Sequence, residues 1–426
     1  MLFGLLMIYS LIRFAAKGWI TALYLTPKLH FSYYGFEWVK NPGEFGIYLL
    51  FGLALVGAIG ILLGAMYRFS SVTFFLSFTY LELIDKTNYL NHYYFVSLVS
   101  FLIIFLPLNR GLSVDLWRNP LLKITHVPAW MLNVIKFQLA IVYCYAGIAK
   151  LNYDWLIEAM PLKIWLKAHV DFPLIGSLFA KDWVAYFFSW FGAIYDLLII
   201  FFLMNSRFRP YAYFFVISFH VLTWLLFPIG VFPWVMIAFS TIFLSMETHE
   251  KIIRKMAGLF SGSEADTSFQ TFTYNAVKAK IVSVTLIAFI IFQLLFPWRY
   301  IVYPNNLFWG EEGYRFSWRV MLMEKAGYAT FYVTDPATGN KGQVFNYEYL
   351  TPQQEKMMAT QPDMIWQFAQ YIKKEYQKKG VQNPIINAEV YATLNGKRSR
   401  LLIDPTVDLT KVSDGFAPKE WITEAP

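Results

Sequence analysis

A single cysteine, Cys144, sits inside an apolar run of this 426-residue chain, which excludes an intramolecular disulfide and any metal site built on several thiolates. Charge is scarce as well. Only 15% of residues are charged, against 57% hydrophobic and 20% aromatic, a balance foreign to soluble domains. His30, His92, His126, His169, His220 and His249 never pair at short spacing on one helix, so no metal is expected. No Gly-rich phosphate loop follows a strand and no Gly-x-Ser-x-Gly elbow occurs, leaving nucleotide-driven transport and serine hydrolysis without support. The net charge of +8 is not gathered into a run that could follow a duplex, so no nucleic-acid partner is expected. Asn-x-Ser/Thr acceptors are absent too, which favours a bacterial membrane over a glycosylating pathway.

What the chain does have is long apolar runs. The fold expected is a mainly α polytopic membrane protein, with lipid around it and about nine transmembrane helices within 1–298. They are placed at 2–25, 44–66, 71–86, 92–107, 128–150, 183–204, 210–227, 229–246 and 279–298. The first begins at Met1 with no polar lead-in, so a few residues are expected to be missing before it. A polar stretch at 247–278, with a flexible-loop signal in Ser261-Gly262-Ser263-Glu264-Ala265-Asp266, precedes the last span. Arg68, Arg110, Arg118, Arg207, Arg209, Lys251 and Arg254 fall on alternate loops. That bias puts the N-terminus in the cytoplasm and the C-terminal region outside a bacterial inner membrane, or in the lumen of the endoplasmic reticulum if the source is eukaryotic.

Residues 299–426 read as a small α+β extramembrane domain. A strand is expected at 328–334 with its return at 344–349. Thr351, with Pro352 and Gln354 behind it, should cap a helix that Pro362 restarts and Gly380 ends. Strands at 387–394 and 398–403 should be joined through Asn395-Gly396, a dipeptide suited to a tight primed turn.

Few residues in the apolar runs can carry chemistry. Lys150, near the end of a span, costs roughly 2.5–3.5 kcal/mol at a helix centre, so it either snorkels to the headgroups or serves as a base that protein burial keeps neutral. Asn91 reads as a helix cap with His92 solvated beside it, or both as site residues. His220 and Asp196 each lie mid-span; His220 suits an interhelical hydrogen bond or a ligand, and Asp196 could partner a buried cation. The abundant aromatics suit either membrane interfaces or a quinone or lipid pocket.

The string 141–155, Ile-Val-Tyr-Cys-Tyr-Ala-Gly-Ile-Ala-Lys-Leu-Asn-Tyr-Asp-Trp, resembles the catalytic segment of the vitamin K-dependent gamma-glutamyl carboxylases. So do Gly64-Ala65-Met66-Tyr67-Arg68, Leu83-Ile84-Asp85-Lys86-Thr87, Asn91-His92, Phe219-His220, Phe316-Ser317-Trp318 and Leu402-Ile403-Asp404-Pro405, in order along most of the chain. The resemblance implies a carbon-carbon lyase whose base, at Lys150, deprotonates a vitamin K hydroquinone, here a menaquinol-type naphthoquinol. Reaction with O2 then gives a quinone epoxide and a strong base that drives CO2 onto a glutamyl-type acceptor. It further implies His92 in the carboxylation half, and Asn91, His220, Tyr314, Ser317 and Trp318 around the quinol or substrate. Two departures stand out: Ala149 and Met323 occupy positions where vertebrate members carry lysine and histidine. Those members also continue well past the point matching Pro426, so a glutamyl peptide and a small acceptor both stay open as partners. Quinol oxidation without carboxylation, and a non-enzymatic quinone- or lipid-binding protein, remain the alternatives.

Overall fold

The computed structural model describes residues 1–257 and 270–426; the loop signal at 261–266 lies outside them. Among the described residues, four helices are long and apolar enough to cross a membrane: Gly43–Leu63, Trp130–Ala149, Asp182–Met204 and Ala276–Val302. By length and composition, then, four rather than nine qualify. Leu2–Ala16, Asn91–Ile104 and Phe232–Phe243 are apolar but shorter. Tyr67–Ile84 and Arg209–Leu226 are long but dilute their apolar residues with polar ones such as Arg68, Glu82 and His220. The run at 2–25 is not one helix. It stops at Ala16, because Gly18 turns the chain at φ +69°, and resumes as a wide turn over Thr21–Leu25.

The C-terminal region holds an antiparallel sheet in the order β2-β1-β3-β4, with β1 Lys325–Thr334, β2 Lys341–Val344, β3 Ile385–Leu394 and β4 Arg400–Leu401. One pleat face, with Phe331, Val333, Ile386, Ala388 and Val390 buried, packs with Met364, Ile365, Phe368 and Ile372 of the helix Pro362–Lys378. The capping box at Thr351 and Gln354 forms, and Asn395 and Gly396 both take positive φ, as a primed turn requires. The return strand lies earlier than the expected 344–349. Asn346 leaves the ladder because its amide donates to the Ala329 carbonyl at 2.8 Å, bending 346–348 into a turn.

Polar ties lock this sheet onto one end of the helices. Asp363 accepts from Lys86 at 2.5 Å and Arg315 at 2.8 Å. Gln354 donates to Asp85 at 3.0 Å and to the Leu29 carbonyl at 2.6 Å, and Asp154 accepts from Asn395 at 2.7 Å. Burial alone would raise the Asp363 carboxyl, but Arg315 and Lys86 outweigh it and hold it well below its ordinary 3.8. A depressed carboxylate adds stability that is complete above the unfolded value and fades as pH falls toward the folded one. Asp363→Asn should therefore loosen the sheet by about 1.5–3 kcal/mol at neutral pH. Hydrogen exchange across β1 and β3 is the check; the variant's deficit should vanish well below pH 3.8, and a deficit unchanged in acid would contradict it.

Candidate active site

Lys150 follows the last turn of Trp130–Ala149. Side chains on a helix lean toward its N-terminus, so at this end the amine is carried back into the bundle and away from the boundary. Its Nζ lies 2.6 Å from Asp196 Oδ2 and 3.3 Å from the Ala146 carbonyl, and the residue is 6% exposed. Lys150 does not snorkel. Asp196 comes from the middle of Asp182–Met204, and the two helices approach closely at Gly147, where a Cβ would fall 2.8 Å from the Leu197 nitrogen. The Trp155 ring covers the amine at 5.4 Å. That ring is fixed by its own Nε1, which donates to the Ser189 carbonyl at 2.8 Å, and by Asn152, whose side chain accepts from the Trp155 N–H.

These groups border a narrow, mostly apolar chamber of about 90 Å³, closed also by Phe188, Phe219 and His220. His220 is 1% exposed; Tyr143 meets its Nε2 at 3.0 Å, while its Nδ1 is buried with no hydrogen-bond partner among the described residues. A buried nitrogen in that condition is open to a ligand atom or a water.

A second, larger chamber of about 660 Å³ is lined by Asn91, His92, Tyr314, Arg13 and Arg319. Trp165, Phe227, Ile229, Phe232, Val320 and Met321 border both chambers, which therefore adjoin along these residues. His92 packs against Tyr93 and Phe232, with ring centroids at 4.5 and 5.8 Å. Asn91 is not the cap, which is Leu90 without a side-chain bond. Instead its amide donates to the Arg319 carbonyl at 3.1 Å and its oxygen accepts from Tyr89 at 3.0 Å. Burial pushes the Tyr314 phenol well above its ordinary value, so it stays a donor.

The strip after Tyr314 is strained: Phe316, Trp318 and Met321 take φ of 60°, 58° and 52°, at a cost on the order of 1 kcal/mol each. The fold pins it. Tyr89 accepts from the Phe316 N–H at 2.8 Å, Ser317 donates to the Gly313 carbonyl at 2.6 Å and accepts from Arg299, and Trp318 stacks on Tyr94 at 4.9 Å. Ser317 and Trp318 thus border neither chamber, whereas Lys150, His220, His92, Asn91 and Tyr314 do. Sequence reading missed Gly147, Tyr143 and Arg319, although the first two lie inside the 141–155 string and Arg319 directly follows Trp318.

The family model described as HTTM domain matches residues 1–247, and that described as vitamin K-dependent gamma-carboxylase, lumenal domain, matches residues 278–426. The chain belongs to the vitamin K-dependent gamma-carboxylase family. No solved structure matches it. Both matched regions contribute to the site: Lys150, Asp196, His220 and His92 lie in the first, Tyr314 and Arg319 in the second. A gamma-carboxylase of this kind implies a vitamin K hydroquinone. The small chamber fits such a group chemically, since aromatic side chains suit a flat apolar ring, and the orphaned His220 Nδ1 and the Lys150–Asp196 pair suit its hydroxyl groups.

Proposed function

We propose that this carboxylase-type enzyme holds a menaquinol-type naphthoquinol in the Lys150 chamber and carboxylates a glutamyl-type acceptor in the His92 chamber. The observation that carries the reading is the amine and carboxylate 2.6 Å apart, buried in an apolar cavity, where no surface role explains them. Lys150 Nζ, as the free amine, takes the hydroxyl proton, and Asp196 offsets the charge of the ammonium that results. The ion pair at 2.6 Å is the state after that transfer, and it gives up the proton to water before the next turnover. With the Tyr143 hydroxyl donating to Nε2 of His220, the ring proton sits on Nδ1, ready to donate to the second quinol oxygen. Trp155 and the aromatic wall keep water from the site. When bound, the hydroquinone supplies the reaction with O2 that yields the strong base needed to add CO2. His92 serves the acceptor side, and the acceptor's γ-carbon meets that base where the two chambers adjoin.

The same reading takes the three shorter apolar helices, together with Tyr67–Ile84 and Arg209–Leu226, as further spans, to about nine in all. Residues 85–91, the end of Trp130–Ala149 and the C-terminal sheet share one end of the protein, which supports placing them together outside a bacterial inner membrane.

The test is product analysis by mass spectrometry, with purified protein, reduced naphthoquinone, O2 and bicarbonate, with and without a glutamyl peptide. Quinone epoxide together with a peptide heavier by one CO2 is expected. Epoxide alone would reduce the function to quinol oxidation, and no product from any combination would overturn the reading. A second expectation separates the chambers: His92→Ala should lower peptide carboxylation about tenfold or more beyond its effect on epoxide. Equal loss of both products would count against that division.

A further inference from the structure

The cations of the larger chamber are not alike. Lys86 and Arg315 both bond Asp363, and neighbouring Lys325 pairs with Glu311 at 3.1 Å. Arg319 is 8% exposed and borders the same chamber, yet among the described residues no carboxylate pairs with it. Its Nε is buried without a hydrogen-bond partner, and its guanidinium lies 4.3 Å from the Tyr300 ring centroid. Of the two carboxylates that border the chamber among the described residues, Glu311 is the one taken by Lys325, and Glu324 is engaged by Trp165 Nε1 at 2.6 Å. Burial lowers the guanidinium of Arg319 below the ordinary arginine value, whereas at Arg315 Asp363 more than reverses the same effect. One arginine of the strip has its anion, and the other lacks one.

A buried guanidinium with no anion is costly unless a ligand supplies it, and its planar fork matches a carboxylate better than a lysine would. The chamber has room for such a ligand, and Asn91 holds the Arg319 backbone in place through its carbonyl. We propose that Arg319 is the acceptor-specificity residue: it binds the carboxylate of the glutamyl acceptor in the chamber that His92 borders and so rejects neutral side chains. This rests on the reading of that chamber as the acceptor site.

Isothermal titration of the full chain in detergent, without quinol, tests it with N-acetyl-glutamate amide and N-acetyl-glutamine amide. Wild type should bind the glutamate compound at least about tenfold more tightly, the value of a hydrogen bond to a charged group. R319Q should erase that preference and R319K should restore part of it. In turnover, R319Q should raise the acceptor KM by a larger factor than it lowers kcat. Equal binding of both compounds by wild type, or a preference that survives in R319Q, would overturn the proposal; if R319Q does not fold, the wild-type preference and R319K decide. Arg319-dependent glutamate binding with no quinol product would instead sink carboxylation while leaving the proposal intact.

Discussion

Asp196→Ala is expected to lower stability by about 3–5 kcal/mol, because it strands the Lys150 ammonium in a chamber with no other carboxylate among the described residues. The remaining contacts are weak substitutes: the Ala146 carbonyl at 3.3 Å is a neutral acceptor, and the Trp155 ring contributes only through its face. Asp196→Asn should lose less, since an amide oxygen of nearly the same shape still accepts from the amine. Pairing Asp196→Leu with Lys150→Met should recover most of the loss, as apolar replacement of a buried ion pair is often neutral. Thermal unfolding in one detergent across the series reads this directly. If Asp196→Ala unfolds within about 0.5 kcal/mol of wild type, the pair is not the buried contact described, since only surface changes are usually so small.

Lys150→Ala is expected to lower quinol-dependent turnover about 10²–10⁴-fold, the usual worth of a positioned base. The reason is placement: the amine leans into the chamber because its Cα lies at the end of a helix whose Cβ vectors tilt back, and Gly147 lets Asp196 approach it. Arginine there should fail as completely as alanine, because a guanidinium does not shed its proton in proteins. Activity of Lys150→Arg near wild type would place the base elsewhere. Epoxide formation per enzyme, with folding confirmed by gel filtration, is the measurement.

Much of this was legible along the chain, for reasons that are local. The Thr351 capping box and the Asn395-Gly396 turn are written in adjacent residues, and both form. Residues 141–155 pointed to Lys150, and an aspartate alone in the middle of a span, Asp196, already suggested a cation partner. What could not be read depends on contacts between distant segments. The break at Gly18 needs a positive φ that hydropathy does not register, and the return strand shifted because Asn346 found a carbonyl on β1. Ser317 and Trp318 are held by Gly313, Arg299 and Tyr94 and border neither chamber, contacts that the strip's own sequence does not register. The place where the two chambers adjoin is drawn from residues 165, 227, 229, 232, 320 and 321, which no single stretch contains. Arg319 became visible only by contrast with Arg315, whose anion sits on a helix of the other layer.

The central claim, that Lys150 is the base for the quinol, is met most directly by the pH dependence of epoxide formation in Lys150→Ala beside wild type. Without an internal base the proton must go to solvent, so the variant's rate should climb about tenfold per pH unit with hydroxide and close on the flatter wild-type curve. A deficit that stays constant across pH, or no deficit at all, would contradict the claim.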